Sequence, residues 1–200
     1  MGMERGMERG RGSRLDRVVG EAREGCYDCL DMKRYGKLRA LGGFCFWQGI
    51  TWVAAVVGSV ASIRAGDFYG ELIRPVWAPP ASVFGPVWSA LFVLMGVAAW
   101  WVWLHRERGD ARWPLVLYGV QLCFNGMWSW LFFVWKLGGP AFVDILLLWL
   151  LIAATLVGFW RQRTLAGMLM VPYLLWVSFA AVLNFAVWRL NPGVLGGFGG

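Results

Sequence analysis

Long apolar stretches dominate the pattern of hydrophobic and polar positions after residue 43. Five stretches contain no Lys, Arg or Glu, at residues 44–63, 83–104, 114–135, 141–160 and 166–188. A helix of about 20 apolar residues crosses a hydrocarbon core of about 30 Å, and it satisfies its own backbone hydrogen bonds there. The pattern therefore predicts an all-α integral membrane protein, built as a bundle of five transmembrane helices.

Composition strengthens this prediction. The chain of 200 residues is 58% hydrophobic and 16% charged, whereas soluble domains carry about 25% charged residues. It also contains 15 tryptophans. Tryptophan suits the membrane interface, because its ring is largely apolar while its N–H needs a polar partner.

The basic residues predict an orientation. Ten Lys and Arg precede Phe44, three lie in the second loop between stretches and two in the fourth, which makes fifteen on one side. The other side carries four, namely Arg64, Arg74, Lys136 and Arg189. The positive-inside rule therefore predicts an N-terminus inside. Because the charges bracket membrane spans instead of lining a soluble face, nucleic-acid binding is not expected.

The two ends of the chain differ from the membrane domain predicted at residues 44–191. Residues 1–43 open with the repetitive, charged sequence MGMERGMERGRG, which is typical of a basic, disordered extension. Residues 192–200 indicate a flexible Gly-rich tail. Cys26 and Cys29 form a CxxC, but a zinc site needs four ligands and the sequence holds no second pair and only one histidine, His105. No metal site is predicted.

Polar and aromatic side chains share helix faces inside three of the stretches. The second stretch places Trp88 and Phe92 on one face, the third Gln121, Asn125 and Trp128, and the fifth Trp176, Ala180 and Asn184. Amides in lipid need partners, so these faces are expected to point into the bundle. One interpretation is hydrogen bonding that only joins helices, worth about 1 kcal/mol or less. The other, favoured by amides paired with tryptophan on two helices, is the wall of a ligand site for flat, largely apolar aromatic molecules.

Asp144 is the one charged residue within the five stretches. A carboxylate there is a candidate for proton relay, but none of the stretches supplies a cation to pair with it. The alternative is a role near the start of the fourth helix, where a carboxylate favours the helix dipole and helps to cap the helix.

Four motifs together resemble the TspO family, which comprises tryptophan-rich sensory proteins of bacteria and the eukaryotic translocator protein, or peripheral-type benzodiazepine receptor. They are RPVWAPPASVFGPVWSALFVLMG, QLCFNGMWSWLFF, GPAFVDILLLW and AGMLMVPYLLWVSFAAVLNFAVWRLN. The resemblance runs from Phe44 to Asn191. It implies a five-helix bundle, often homodimeric, with a cavity that binds porphyrins such as protoporphyrin IX or haem and, in some members, sterols.

The resemblance also implies which residues form the site. The residues matching its wall are Trp88, Asn125, Trp128, Leu147, Trp176, Ala180 and Asn184, joined by Phe92 from the aromatic face, and those matching its lid are Trp77, Pro79 and Pro80. The implied function is a receptor or transporter for tetrapyrroles with a regulatory or stress-sensing role. It needs no obligatory cofactor and lies in a bacterial cell membrane or an organelle outer membrane. The alternative is an enzyme-like photo-oxidative degradation of porphyrin that uses Trp88 and Trp176.

Three positions depart from the family pattern. Phe68 stands where the family usually has Trp before the lid, and Pro140 stands where it often has Trp. The sterol-associated pattern needs a tyrosine ahead of a basic residue, and here Phe185 precedes Arg189. The missing hydroxyl weakens the expectation of sterol binding and leaves that of porphyrin binding unchanged.

Overall fold

The computed structural model describes residues 36–63, 65–106 and 110–196. Its helices are α1 (Gly36–Ala61), α2 (Ala65–Glu71), α3 (Phe84–Leu104), α4 (Arg112–Ser129), α5 (Gly138–Gln162) and α6 (Thr164–Leu190). A short 3₁₀ turn, Ala81–Val83, leads into α3, and a π-helical turn, Trp130–Val134, extends α4.

Five of the helices in the described part of the chain are long and apolar enough to cross a membrane, which confirms the predicted architecture. Each of these helices begins and ends within a few residues of the bounds of its predicted stretch, except that α1 begins earlier, at Gly36. Residues 36–43 of the predicted extension are therefore helical, and the rest of it, including Cys26 and Cys29, lies outside the described residues. The chain divides into two compact units between Gly42 and Gly43, and the bundle lies in the second unit. The inside location of the N-terminus stays a prediction.

The bundle core is built from fully buried side chains of α3, α4, α5 and α6. They include Met95, Tyr118, Phe159, Met170 and Tyr173, each 0% exposed. The longest helix, α6, contains Pro172 and still runs unbroken to Leu190. Pro86 lies in the first turn of α3, where its missing N–H costs no helical hydrogen bond.

The sequence pattern did not predict α2, which has seven residues and lies between α1 and α3. Phe68 and Tyr69 are its buried side chains. The ring of Tyr69 packs edge-on against Phe84 at 5.5 Å, and the ring of Phe68 lies 6.4 Å from that of Phe132. Because so short a helix is marginal by itself, these tertiary contacts stabilise it.

Asp144 lies in the second turn of α5 and is 6% exposed. Leu137 occupies the N-cap position, and no side chain caps the helix. The expectation that Asp144 helps to cap the start of this helix is therefore wrong, since the helix begins earlier than its apolar stretch indicated.

The C-terminal segment after α6 folds back onto the bundle. Leu195 is 1% exposed and packs in a cluster with Phe68, Leu72 and Phe132. Gly196 forms an isolated parallel bridge with Leu137. Leu195 thus anchors a segment in which residues 192–194 and Gly196 are exposed, and the flexibility of residues 192–200 stays a prediction. Residues 197–200 lie outside the described residues.

Candidate functional site

A cavity of about 380 Å³ opens among α1, α2, α3, α4 and α6. Ligand pockets for small molecules commonly reach about 300–1,000 Å³, so the space suits a small organic ligand. All five walls lie in the compact unit Gly43–Gly200. We call the end of the bundle that carries α2 and the turn between α4 and α5 the α2 end.

The wall from α3 is aromatic. Phe84, Trp88 and Phe92 follow one another at four-residue spacing and all line the cavity. The centroids of the Trp88 and Phe92 rings lie 5.6 Å apart, and the two rings are 31° from coplanar. The Trp88 and Tyr173 rings pack edge-on, with their centroids 6.1 Å apart. Their spacing along one helix face aligns the rings into a continuous apolar surface.

The wall from α4 and α6 carries hydrogen-bonded amides. Trp128 Nε1 donates to Asn184 Oδ1 at 2.9 Å, and Asn184 Nδ2 donates to the carbonyl of Gly138 at 3.3 Å. Asn125 Nδ2 donates to the Tyr173 hydroxyl at 2.9 Å. These bonds satisfy polar groups that are costly to bury unpaired, and they fix the orientation of both amides.

The wall from α1 consists mainly of small side chains. Ala55, Gly58, Ser59 and Ser62 line the cavity at helical spacing. The Ser62 hydroxyl donates to the Gly58 carbonyl at 2.9 Å, so that donor is already used within the helix. Because these side chains are small, they leave open the space between α1 and the aromatic wall of α3.

A smaller recess of about 20 Å³ adjoins the cavity, and the two share Phe84, Trp88, Asn125, Trp128 and Ala180 in their linings. Trp176 lines this recess and not the main cavity. Its Nε1 is buried and has no hydrogen-bond partner among the described residues.

Most of the predicted wall residues come together. The main cavity is lined by Trp88, Phe92, Asn125, Trp128, Ala180 and Asn184. Leu147 lies elsewhere: it is 45% exposed on α5 and lines neither space. Gln121 points into the bundle as expected and is 0% exposed, yet neither of its amide atoms has a partner among the described residues.

The predicted lid residues lie in the loop between α2 and α3, outside the cavity lining. The Trp77 ring packs edge-on against Phe179 of α6 at 5.9 Å, although the side chain is 50% exposed. Tyr69 donates from its hydroxyl to the carbonyl of Pro79 at 3.2 Å, and Pro80 precedes the 3₁₀ turn. Tyr69 itself lines the cavity, so this bond links the loop to the wall.

The Tyr69 hydroxyl stays protonated at neutral pH. Burial raises the pKa of Tyr69 above its ordinary value, while the nearby positive charge of Arg74 acts in the opposite direction. A neutral hydroxyl is the form that can donate to the Pro79 carbonyl.

Sequence reasoning missed the contributions of α1 and α2 to the site. Ala55, Ser59 and Ser62 recur at i, i+4 and i+7, a signal of one helix face made from small residues. Tyr69 could not be found this way, because α2 is too short for a periodic pattern.

Phe185 and side chains of the metal-binding types His, Cys, Asp and Glu are absent from the described cavity lining. No group of three or more His, Cys, Asp or Glu that could hold a metal ion occurs among the residues that the structure describes. Phe185 is 45% exposed and packs with Phe142 and Trp188 on the outer surface of the bundle.

Known proteins match this chain over most of the bundle. The sequence profile described as the TspO/MBR family matches residues 48–189. Protein CrtK of Rhodobacter capsulatus is 41% identical over 142 residues, which covers 70% of this chain and 88% of that protein. Tryptophan-rich protein TspO of Chlorobaculum tepidum is 41% identical over 146 residues, covering 72% and 92%. Translocator protein of Homo sapiens is 42% identical over 134 residues, covering 65% and 78%.

The matched region contains α3, α4 and α5 in full, all of α6 except Leu190, and the part of α1 that lines the cavity. Given this profile match and these relatives, the chain is a multi-pass integral membrane protein that belongs to the TspO/MBR family.

Proposed function

We propose that the protein is a membrane receptor or transporter that binds a porphyrin in the cavity between α1, α3, α4 and α6, with a regulatory or stress-sensing role. The observation that carries the proposal is the arrangement of the walls. The aromatic face of Phe84, Trp88 and Phe92 meets the amide wall of Asn125 and Asn184 across one largely apolar space. A flat aromatic ring system would stack on the first wall and accept or donate hydrogen bonds at the second.

Several of the relatives carry names that agree with such a role. One is called a tryptophan-rich sensory protein and others are called translocator proteins. The homodimer implied by the family resemblance remains part of the proposal, as does the absence of any obligatory cofactor. Porphyrin is the ligand, and the surrounding lipid bilayer is the other partner.

A titration of purified protein with protoporphyrin IX tests the proposal. Because Trp88 and Trp128 line the cavity, a bound porphyrin is expected to quench tryptophan fluorescence with a saturable curve. Haem and a sterol, titrated in parallel, report the shape preference of the cavity. A strictly linear, non-saturable response to protoporphyrin IX would rule out the proposed binding.

The small recess supports a second candidate, the photo-oxidative degradation of a bound porphyrin. Trp88 and Trp176 both line it, so two oxidisable indoles would lie beside the same bound ring system. Illumination of the complex tests this role, with Trp176→Phe compared with the parent protein. Identical product spectra and rates for the two proteins would exclude Trp176 from the chemistry.

A further inference from the structure

Two cations flank α2 at the α2 end. The Arg74 guanidinium lies 4.9 Å from the centre of the Tyr69 ring, and Lys136 Nζ lies 4.8 Å from the centre of the Phe68 ring. Phe68 and Tyr69 are neighbours in the chain and are both buried. Each cation is therefore held by a cation–π contact on an aromatic residue of the same short helix.

Both aromatic residues connect these cations to the cavity. Tyr69 lines it directly. Phe68 packs at 6.4 Å against Phe132 and at 6.5 Å against Phe133, and both of those rings line the cavity. One or two aromatic rings thus separate each positive charge from the ligand space.

The charges remain available to an anion. Arg74 and Lys136 are exposed, and neither has a carboxylate partner within the described part of the chain. Asp67 and Glu71 of α2 are also exposed. A cation–π contact uses the face of the ring and leaves N–H donors of a guanidinium or an ammonium free to bind oxygen.

The backbone of Lys136 gives an independent observation. Its φ is 54°, and among the described residues it is the non-glycine residue with positive φ. That conformation is unfavourable for a side chain with a Cβ, and such strained positions cluster at functional sites. A glycine would adopt this conformation without strain, so a lysine at this place carries a backbone cost that a glycine would not.

None of the described residues that line the cavity is charged; they are aromatic, small, hydroxyl, amide and aliphatic residues. A ligand with carboxylate groups would therefore have to keep them outside this space to avoid burying unpaired charge. We propose that Arg74 and Lys136 form a carboxylate-binding site at the α2 end, so that the cavity selects an aromatic ligand acid whose ring system is buried and whose carboxylates lie at its rim. This site rests on the proposed function and specifies the ligand class.

Lipid headgroups supply anions of similar chemistry. Phosphate oxygens would accept the same hydrogen bonds from Arg74 and Lys136 as carboxylate oxygens do. A test must therefore separate anions attached to the cavity ligand from anions of the membrane.

The experiment compares protoporphyrin IX with its dimethyl ester in a non-ionic detergent free of phospholipid. The two molecules share the ring system, and only the first carries carboxylates. We expect the diacid to bind the parent protein roughly tenfold more tightly than the ester, and Arg74→Gln to weaken binding of the diacid roughly three- to tenfold while leaving the ester unchanged.

Two further variants make the result independent of folding. Lys136→Gly removes the charge at a position whose backbone suits glycine, so the variant is expected to fold and to lose diacid affinity in the same way. Arg112→Gln is the matched control, because Arg112 is an exposed cation at the start of α4, at the opposite end of that helix from the π-helical turn.

Each outcome decides the matter. Equal affinities of diacid and ester for the parent would overturn the carboxylate site and leave the proposed porphyrin function standing. Failure of both molecules to bind would remove the proposed function and this site with it. Loss of binding to anionic phospholipid vesicles in the Arg74 and Lys136 variants, with no diacid preference in detergent, would assign the two cations to the membrane and overturn the inference.

Discussion

Asn191 and Ile73 exchange two hydrogen bonds, although 118 residues separate them in the chain. The Ile73 N–H donates to Asn191 Oδ1 at 2.8 Å, and Asn191 Nδ2 donates to the Ile73 carbonyl at 2.8 Å. Asn191 Nδ2 also donates to the Val187 carbonyl at 2.7 Å. A side-chain amide thus pairs with backbone in the manner of a strand neighbour and joins the end of α6 to the segment that follows α2.

Replacing Asn191 by Ala is expected to release this segment. The lost bonds should lower the free energy of unfolding by about 1–2 kcal/mol. Exchange of the Ile73 amide should accelerate roughly tenfold, because its acceptor is removed. Hydrogen exchange read out by mass spectrometry provides the measurement. Leu190→Ala is the control, since Leu190 is 43% exposed, and unchanged exchange at Ile73 in Asn191→Ala would contradict the pairing.

A buried hydroxyl pair between α1 and α4 is expected to couple energetically. The Thr51 hydroxyl donates to the Trp47 carbonyl at 2.6 Å, so the Tyr118 hydroxyl is the donor in its bond to Thr51. Tyr118→Phe and Thr51→Val should each cost about 1 kcal/mol, with a coupling energy of about 0.5–1.5 kcal/mol in the double mutant. Unfolding in mixed detergent micelles measures these values. Strictly additive losses would show that the bond contributes nothing.

Filling the cavity from α6 should abolish ligand binding. Ala180 is 8% exposed and lines both the main cavity and the recess. Ala180→Phe would place a ring in the ligand space, and we expect it to weaken protoporphyrin IX binding by more than about tenfold, with a packing cost of about 1–3 kcal/mol. Fluorescence titration checks the affinity.

The matched control for this substitution lies on the same helix. Val182 is 60% exposed on the opposite face, so Val182→Phe adds a ring without entering the cavity. If both variants bound porphyrin as the parent does, the ligand would not occupy the space beside Ala180.

Two glycines should respond to alanine in opposite directions. A Cβ on Gly138 would collide with the Trp188 indole and approach the Leu195 Cβ to 3.0 Å, whereas a Cβ on Gly119 in α4 would meet nothing within 4 Å. Gly138→Ala is expected to destabilise the protein by about 1–3 kcal/mol. Gly119→Ala should stabilise it by up to about 1 kcal/mol through helix propensity. Thermal unfolding in detergent checks both, and equal shifts in the two variants would contradict this packing.

The membrane helices could be predicted from sequence, because length and apolar composition determine whether a segment spans a bilayer. The short helix α2 could not, since its stability depends on Tyr69 meeting Phe84 and on Phe68 meeting Phe132, partners that lie far away in the chain. The error at Asp144 has a related cause. Gly138 and Pro140 hid the first turn of α5 from a hydropathy criterion, although that turn is helical.

The candidate site was predictable where a helix face carried its own signal. Trp88, Asn125, Trp128 and Asn184 reach the cavity because polar and aromatic groups on a spanning helix turn towards the interior. On α5 the polar residue Asp144 is buried, but it does not line the cavity. Leu147 is one among several similar apolar side chains of that helix, and its sequence carries nothing that separates an inward from an outward position; it lies on the outer surface.

Asn184 belongs both to the cavity wall and to the hydrogen bonds that join the helices of the bundle. Its Oδ1 holds Trp128 on α4 and its Nδ2 holds the first carbonyl of α5, while the side chain lines the cavity. Selection for a new ligand at this position would therefore act against selection for folding, since any replacement loses both partners together. Ala180 also lines the cavity, but its side chain makes no hydrogen bond to a neighbouring helix. We therefore expect that changes of ligand preference in this cavity arise by substitution of Ala180, while Asn184 is kept because its hydrogen bonds join the helices.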